Sequence, residues 1–199
     1  MTRRMVHLFA AMISIVLVAV AGSASAGGAT DVVKSKQATL FDLLKVEKPE
    51  NAKKISSIFD EMLDYGSLAQ ASLGSEWAAR SDAEKAEFSE LLKQLVRKSY
   101  ERNLKKTLGF NIEYLGEDKA GETVVVKTKA VSKTDTRAEP IEISYKLASK
   151  DGVWRVQDIV TEGVSLVSSY RSQFTKIVKK DGFPTLIKKM KDKLAKGDV

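Results

Sequence analysis

Apolar positions along this chain keep a helical spacing near both ends and a two-residue spacing in the middle. Residues 31–47 read as a helix carrying Val33, Leu40, Leu43 and Leu44, stopped at Lys48-Pro49 because proline disfavours helical backbone just before it. A second helix is expected from Pro49 to Leu63, with Ile55, Ile58, Phe59, Met62 and Leu63 on one face. Residues 64–73 read as short helical turns before Gly74. Ser81 and Glu84 then form a capping box that opens a long helix to about Leu108. Its stripe is Phe88, Leu91, Leu92, Leu95, Val96, Tyr100 and Leu104, with most charges on the other sides and Gly109 as the stop.

From Phe110 the period changes to two. Strands are expected over 110–115, 123–131, 140–147 and 153–160, separated by turn-rich segments short enough to imply an antiparallel meander. Ile141, Ile143, Tyr145 and Leu147 alternate with Glu142, Ser144 and Lys146, so this strand has one apolar face and one wetted face. Val124 and Val126 share the inner side opposite Lys127 and Lys129. The same alternation puts Trp154, Val156, Asp158 and Val160 on one face, which sets an acid on the apolar side. Arg171, or the backbone amides that begin the next helix, are its expected partners.

Helical spacing returns from Gly163 through Val164, Val167, Tyr170, Phe174, Ile177 and Val178 to Asp181-Gly182. Pro184 opens a last helix with Leu186, Ile187, Met190 and Leu194 against a lysine-rich exterior. The order helices, meander, helices predicts an α+β fold: a four-stranded antiparallel meander sheet covered on one face by the N- and C-terminal helices.

The first residues change what this domain is for. Arg3 and Arg4, an apolar run from Leu8 to Ala21, and Ala24-Ser25-Ala26 have the order of a cleaved secretory signal peptide over residues 1–26. The apolar run is too short for a membrane anchor, which needs ~20 residues. Removing 26 of the 199 residues leaves 173, read as a single domain over 27–199. The only histidine, His7, leaves with the leader, and the chain has no cysteine. That excludes Cys and His nucleophiles, Cys/His zinc sites and attached c-type haem, and leaves packing alone to hold an exported domain. Loss of Arg3 and Arg4 lowers the net charge from +7 to +5. The lysines are scattered among acids along helices, which suits anionic headgroups or an acidic partner better than nucleic acid.

Three motifs suggest chemistry and fail on inspection. Gly116 to Thr123 has the glycine spacing of a phosphate loop, but Glu122 stands where lysine is required and the context is strand–turn–strand, so a hairpin turn is expected. Gly163-Val164-Ser165-Leu166-Val167 lacks the second glycine of a nucleophile elbow and has no histidine to activate Ser165, which makes helix capping its expected role. Asp60, Glu61 and Asp64 read as the solvated face of an amphipathic helix. A hydrolase using Ser165 or a carboxylate pair, and a protein-binding adaptor with a solid core, remain as alternative functions.

Several segments together resemble the MlaC family, also called the toluene-tolerance family. They are Leu73-Gly74-Ser75-Glu76-Trp77; Phe88 and Tyr100; Trp154-Arg155-Val156-Gln157-Asp158; and above all Gly163-Val164-Ser165-Leu166-Val167-Ser168-Ser169-Tyr170-Arg171-Ser172-Gln173-Phe174. The resemblance covers about residues 30–195. It implies a periplasmic phospholipid carrier without catalytic residues, working between an outer-membrane lipoprotein complex and an inner-membrane ABC transporter with an MCE-domain subunit. It also implies no cofactor, phospholipid as bound cargo, and acyl chains in an apolar pocket between sheet and helices. On the inward faces, the residues expected to meet the chains are Phe88, Leu92, Leu95, Val96 and Tyr100 from the long helix. Val124, Val126, Ile141, Ile143, Tyr145 and Val156 are expected from the strands, and Val164, Val167, Tyr170 and Phe174 from the helix that follows.

Overall fold

A computed structural model of the chain describes residues 28–46, 48–135 and 137–197. The leader read at residues 1–26 lies outside the described residues, as do Glu47 and the side chains of Arg102 and Leu104.

Helices α1 (Ala29–Lys45), α2 (Pro49–Met62), α3 (Tyr65–Leu73) and α4 (Asp82–Thr107) precede the sheet, and α5 (Leu166–Asp181) and α6 (Phe183–Lys196) follow it. The capping box forms as the sequence dictates: Ser81 N–H donates to Glu84 Oε2 at 2.8 Å, and Glu84 N–H donates back to Ser81 Oγ at 3.2 Å. Where only turns were expected, residues 65–73 make a nine-residue helix, followed by a single 3-10 turn over Gly74–Trp77. The reason lies at its start. Asp64 caps α3 through Ser67 N–H at 3.0 Å, and its other oxygen takes the Ser67 hydroxyl at 2.6 Å and the Gln157 amide at 3.3 Å.

These bonds carry a pH prediction. Burial alone would raise the Asp64 pKa, but the bonds from the Ser67 hydroxyl, the Ser67 amide and Gln157 outweigh it and hold it below its ordinary 3.8. A lowered folded-state pKa means that the stabilisation is present above pH ~4 and fades as pH falls through the folded value. Wild type minus Asp64→Asn stability, measured by urea unfolding, is expected to shrink on acidification below about pH 4. A difference constant from neutral to acid pH would rule this out.

The sheet has five strands, one more than the sequence pattern indicates. It runs β1 (Phe110–Ala120), β2 (Thr123–Ser132), β3 (Ile141–Lys150), β4 (Val153–Thr161) and β5 (Val164–Ser165), in that spatial order and antiparallel throughout. The extra strand exists because Glu162 and Gly163, at φ 50° and 75°, fold the chain back on itself in two residues. Val164 and Ser165 thereby pair with Thr161 and Val160 before α5 begins. An equally tight turn at Asp151-Gly152, also with both φ positive, joins β3 to β4. The supposed loop at 116–120 is instead strand. Only Gly121 and Glu122 turn the β1–β2 hairpin, so the preceding residues stay in the ladder, and their side chains are exposed. Glu117 among them anchors a helix. Its carboxylate accepts from Thr30 N–H at 3.0 Å and from the Thr30 hydroxyl at 2.8 Å, at the positive end of α1.

The expected face assignment on β4 fails at a bulge. Leu147 pairs with Val156 and Lys146 pairs with Asp158, so Gln157 is an extra residue and the alternation flips beyond it. Asp158 therefore lies opposite the exposed Lys146, away from the apolar face, and Ile159, opposite Tyr145, turns inward. The Asp158 carboxylate accepts from the amides of Ile159 and Val167 at 2.8 and 3.1 Å and from the Ser165 hydroxyl at 2.6 Å. Of its two expected partners, the helix-start amides are used. Arg171 instead donates from Nε to the Ala71 carbonyl at 2.7 Å.

Buried residues from helices α1 to α6 and from β2, β3 and β4 join in one hydrophobic cluster. At its centre Phe88, wholly buried, meets Trp77, Phe174 and Phe183 with ring centroids 6.5, 5.4 and 6.3 Å apart. The far face of the sheet carries the exposed Lys127, Glu142, Lys146 and Arg155.

Candidate functional site

Beside this packed cluster, the inner face of the sheet and the helices leave a cavity of about 590 Å³. Its helical wall is Gln37 and Phe41 of α1 with Val96, Ser99, Tyr100 and Thr107 of α4. The sheet contributes Phe110, Ile112, Ala130, Ile141, Ile143, Tyr145, Ile159, Thr161 and Val164, and the start of α5 adds Leu166, Ser169 and Tyr170. Among the described residues of this wall every polar side chain carries a hydroxyl or an amide, and none is Asp, Glu, Lys or Arg. A charged ligand would lose its hydration there and find no counter-charge among the described residues, whereas a hydrocarbon has no hydration of that kind to lose.

The cavity lies toward the end of the sheet marked by Phe110, Ile141, Thr161 and Val164, and Val164 is 62 % exposed at its rim. At the other end Tyr145 closes it. Gln37 Nε2 donates to the Tyr145 hydroxyl at 2.6 Å, while Gln37 Oε1 accepts from the Tyr114 hydroxyl. Tyr100 is backed by Phe59, ring centroids 5.9 Å apart, and Tyr170 stacks on Phe174 at 5.2 Å. Burial pushes the phenols of Tyr100, Tyr145 and Tyr170 upward, and for Tyr100 the neighbouring phenols add to it. All three are neutral at ordinary pH, so among its described residues the wall has no group that titrates between about pH 5 and 9. Retention of an apolar ligand is expected to be flat over that range in a pH series followed by mass spectrometry. A sharp step would show that an ionising group governs release.

Of the residues expected from the sequence to line a pocket, Val96, Tyr100, Ile141, Ile143, Tyr145, Val164 and Tyr170 meet around this cavity. Phe88, Leu92, Leu95, Val124, Val126, Val156, Val167 and Phe174 lie instead in the packed cluster. Gln37 and Phe41 also line the cavity, and their signal in the sequence is a polar residue set between Val33 and Leu40 on an apolar stripe. Ile159 was hidden by the bulge, and Ser99 and Ser169 by their small polar side chains.

The other chemical candidates are occupied structurally. Ser165 caps α5, accepting from Ser168 N–H at 3.0 Å. Asp60 pairs with Lys93 at 3.2 Å and with Arg97, and Glu61 pairs with Lys36. Among the described residues no cluster of His, Cys, Asp or Glu could hold a metal ion, and no helix is long and apolar enough to cross a membrane. A second hollow of about 410 Å³ lies where α1 meets α2, but Lys48 and Glu101 are in its wall.

The MlaC protein family model matches residues 29–192, from the first turn of α1 into the last helix. This chain belongs to the MlaC family. A curated relative, the intermembrane phospholipid transport system binding protein MlaC of Haemophilus influenzae, is 26 % identical over 136 residues. That match spans 66 % of this chain and 64 % of the relative, just under two thirds of its length. Among solved structures, a phospholipid-binding protein from Ralstonia solanacearum in complex with a phospholipid superposes with a TM-score of 0.70. The likeness covers 85 % of this chain and 96 % of that one at 20 % identity, so it speaks for the fold. The segments that carry the MlaC resemblance pack on one another: Gly74, at φ 62°, lies against the Arg171 side chain, and Phe88 meets both Trp77 and Phe174. These residues build the hub that backs the cavity, while Tyr170 reaches into its wall.

Proposed function

We propose that this chain is an exported, periplasmic phospholipid carrier that performs no bond chemistry and shields acyl chains in the cavity between sheet and helices. The observation that carries this reading is a wall without charged side chains among its described residues, around about 590 Å³ of space. Scaled from the roughly 150 Å³ apolar cavity that admits one benzene ring, it has room for ~24 carbons, one long acyl chain and part of a second. Family membership and the phospholipid held by the Ralstonia protein of the same fold point the same way.

The physical need is plain. A chain of ~16 carbons at about 0.8 kcal/mol per methylene resists entry into water by roughly 12 kcal/mol, so unassisted crossing of an aqueous gap is negligible. Transfer from bilayer to an equally apolar cavity is nearly balanced, so direction comes from the complexes at either end. On this reading those are an outer-membrane lipoprotein complex and an inner-membrane ABC transporter with an MCE-domain subunit, and nucleic acid is not a partner. The leader pattern at residues 1–26 supports the address.

Organic extraction of the purified protein followed by mass spectrometry tests the proposal. Stoichiometric phospholipid is expected, and a lipid-free protein that takes up none from vesicles would refute it. Ester turnover abolished by Ser165→Ala would favour a hydrolase instead.

A further inference from the structure

The two ends of the cavity are built differently. At the rim, Val164 is largely exposed. At the inner end each wall runs into filled space. Beside Tyr145 on the inward face of the sheet sits Val126, and beyond it come Leu147 and Val156, all fully buried. Gln37 is tied on both sides of its amide, to Tyr145 at 2.6 Å and to Tyr114. A methyl group cannot replace those bonds, so a chain end pushing between them would strand polar groups away from water.

We propose that Tyr145, held by Gln37, is the floor of the acyl cavity and sets the longest chain that the protein takes up whole. The proposal rests on the carrier reading and adds a selectivity to it. Chains that reach the floor gain burial for every methylene. In longer chains the surplus methylenes stay at the mouth in water, and each makes transfer from a bilayer about fourfold less favourable, from ~0.8 kcal/mol per methylene. Selection is then by length and falls off steeply above one value.

The test uses vesicles holding equal amounts of saturated phosphatidylglycerols that share one fixed chain and differ only in the length of the other, incubated with lipid-stripped protein. The chain composition recovered on the protein is read by mass spectrometry. Wild type is expected to show a cut-off with a drop of about fourfold per added methylene. Tyr145→Ala, which opens up to a ring's worth of space, is expected to move the cut-off up by roughly two to four carbons. Ile143→Phe, half-way along the same strand wall, is expected to move it down. If Tyr145→Ala does not fold, Gln37→Ala and Ile143→Phe carry the test in opposite directions. Folded, lipid-loaded variants with the wild-type distribution overturn the floor while leaving the carrier reading intact. Wild type that recovers no lipid from any vesicle overturns both.

Discussion

Ser99→Trp is expected to empty the protein of phospholipid while leaving it folded. Ser99 lies on α4 one turn from Val96, with its small side chain at the cavity wall. An indole placed there takes roughly a quarter or more of the space and displaces ~6 carbons of chain, by the scaling in which about 150 Å³ holds one benzene ring. At ~0.8 kcal/mol per methylene that is about 5 kcal/mol, more than a thousandfold in lipid affinity. Because the new side chain fills existing space and displaces no packed neighbour, thermal stability of the lipid-free form should hold or rise. Lipid content by mass spectrometry and melting by circular dichroism check the two halves of this expectation together. Full lipid occupancy in a folded Ser99→Trp protein would show that the cargo sits elsewhere.

Phe88→Ala should do the reverse, damaging the fold without touching the cavity wall. Phe88 is wholly buried and shares ring contacts with Trp77, Phe174 and Phe183, drawn from the 3-10 turn, α5 and α6. Removing a buried phenylalanine costs about 3–5 kcal/mol, a large part of the ~5–15 kcal/mol that holds an ordinary domain together. For a chain of this size the loss corresponds to a melting temperature lower by about 10 °C. No disulfide limits the damage, because the chain has no cysteine. Lipid offered at saturation should recover part of the loss, since a ligand that binds only the folded state stabilises it by mass action. Equal melting temperatures for Phe88→Ala and wild type would remove this residue from the hub.

The contrast between these two sites explains what could be read in advance. Phe88 and Tyr100 occupy the same apolar stripe of α4, and periodicity treats them alike. One is sealed among three rings, and the other borders open space. Nothing in their spacing separates them, because an unfilled volume is a property of what all the surrounding elements fail to reach.

The sequence by itself determined helices α1, α2, α4, α5 and α6, the four long strands and their order, the antiparallel meander and the inward faces of β2 and β3, since these follow from local period, caps and turn residues. Motif residues such as Gly74, Trp77 and Tyr170 to Phe174 were sufficient for the family. Tertiary structure alone decided the rest. The fifth strand depends on a two-residue turn at Glu162-Gly163, and the inward turn of Ile159 depends on Gln157 being bulged out of the ladder. The pairing of α1 with the sheet through Gln37, Tyr114 and Tyr145 joins residues 77 and 108 positions apart. Period and propensity act over a few residues, whereas register shifts, long-range hydrogen bonds and empty space depend on the simultaneous fit of segments distant in the chain.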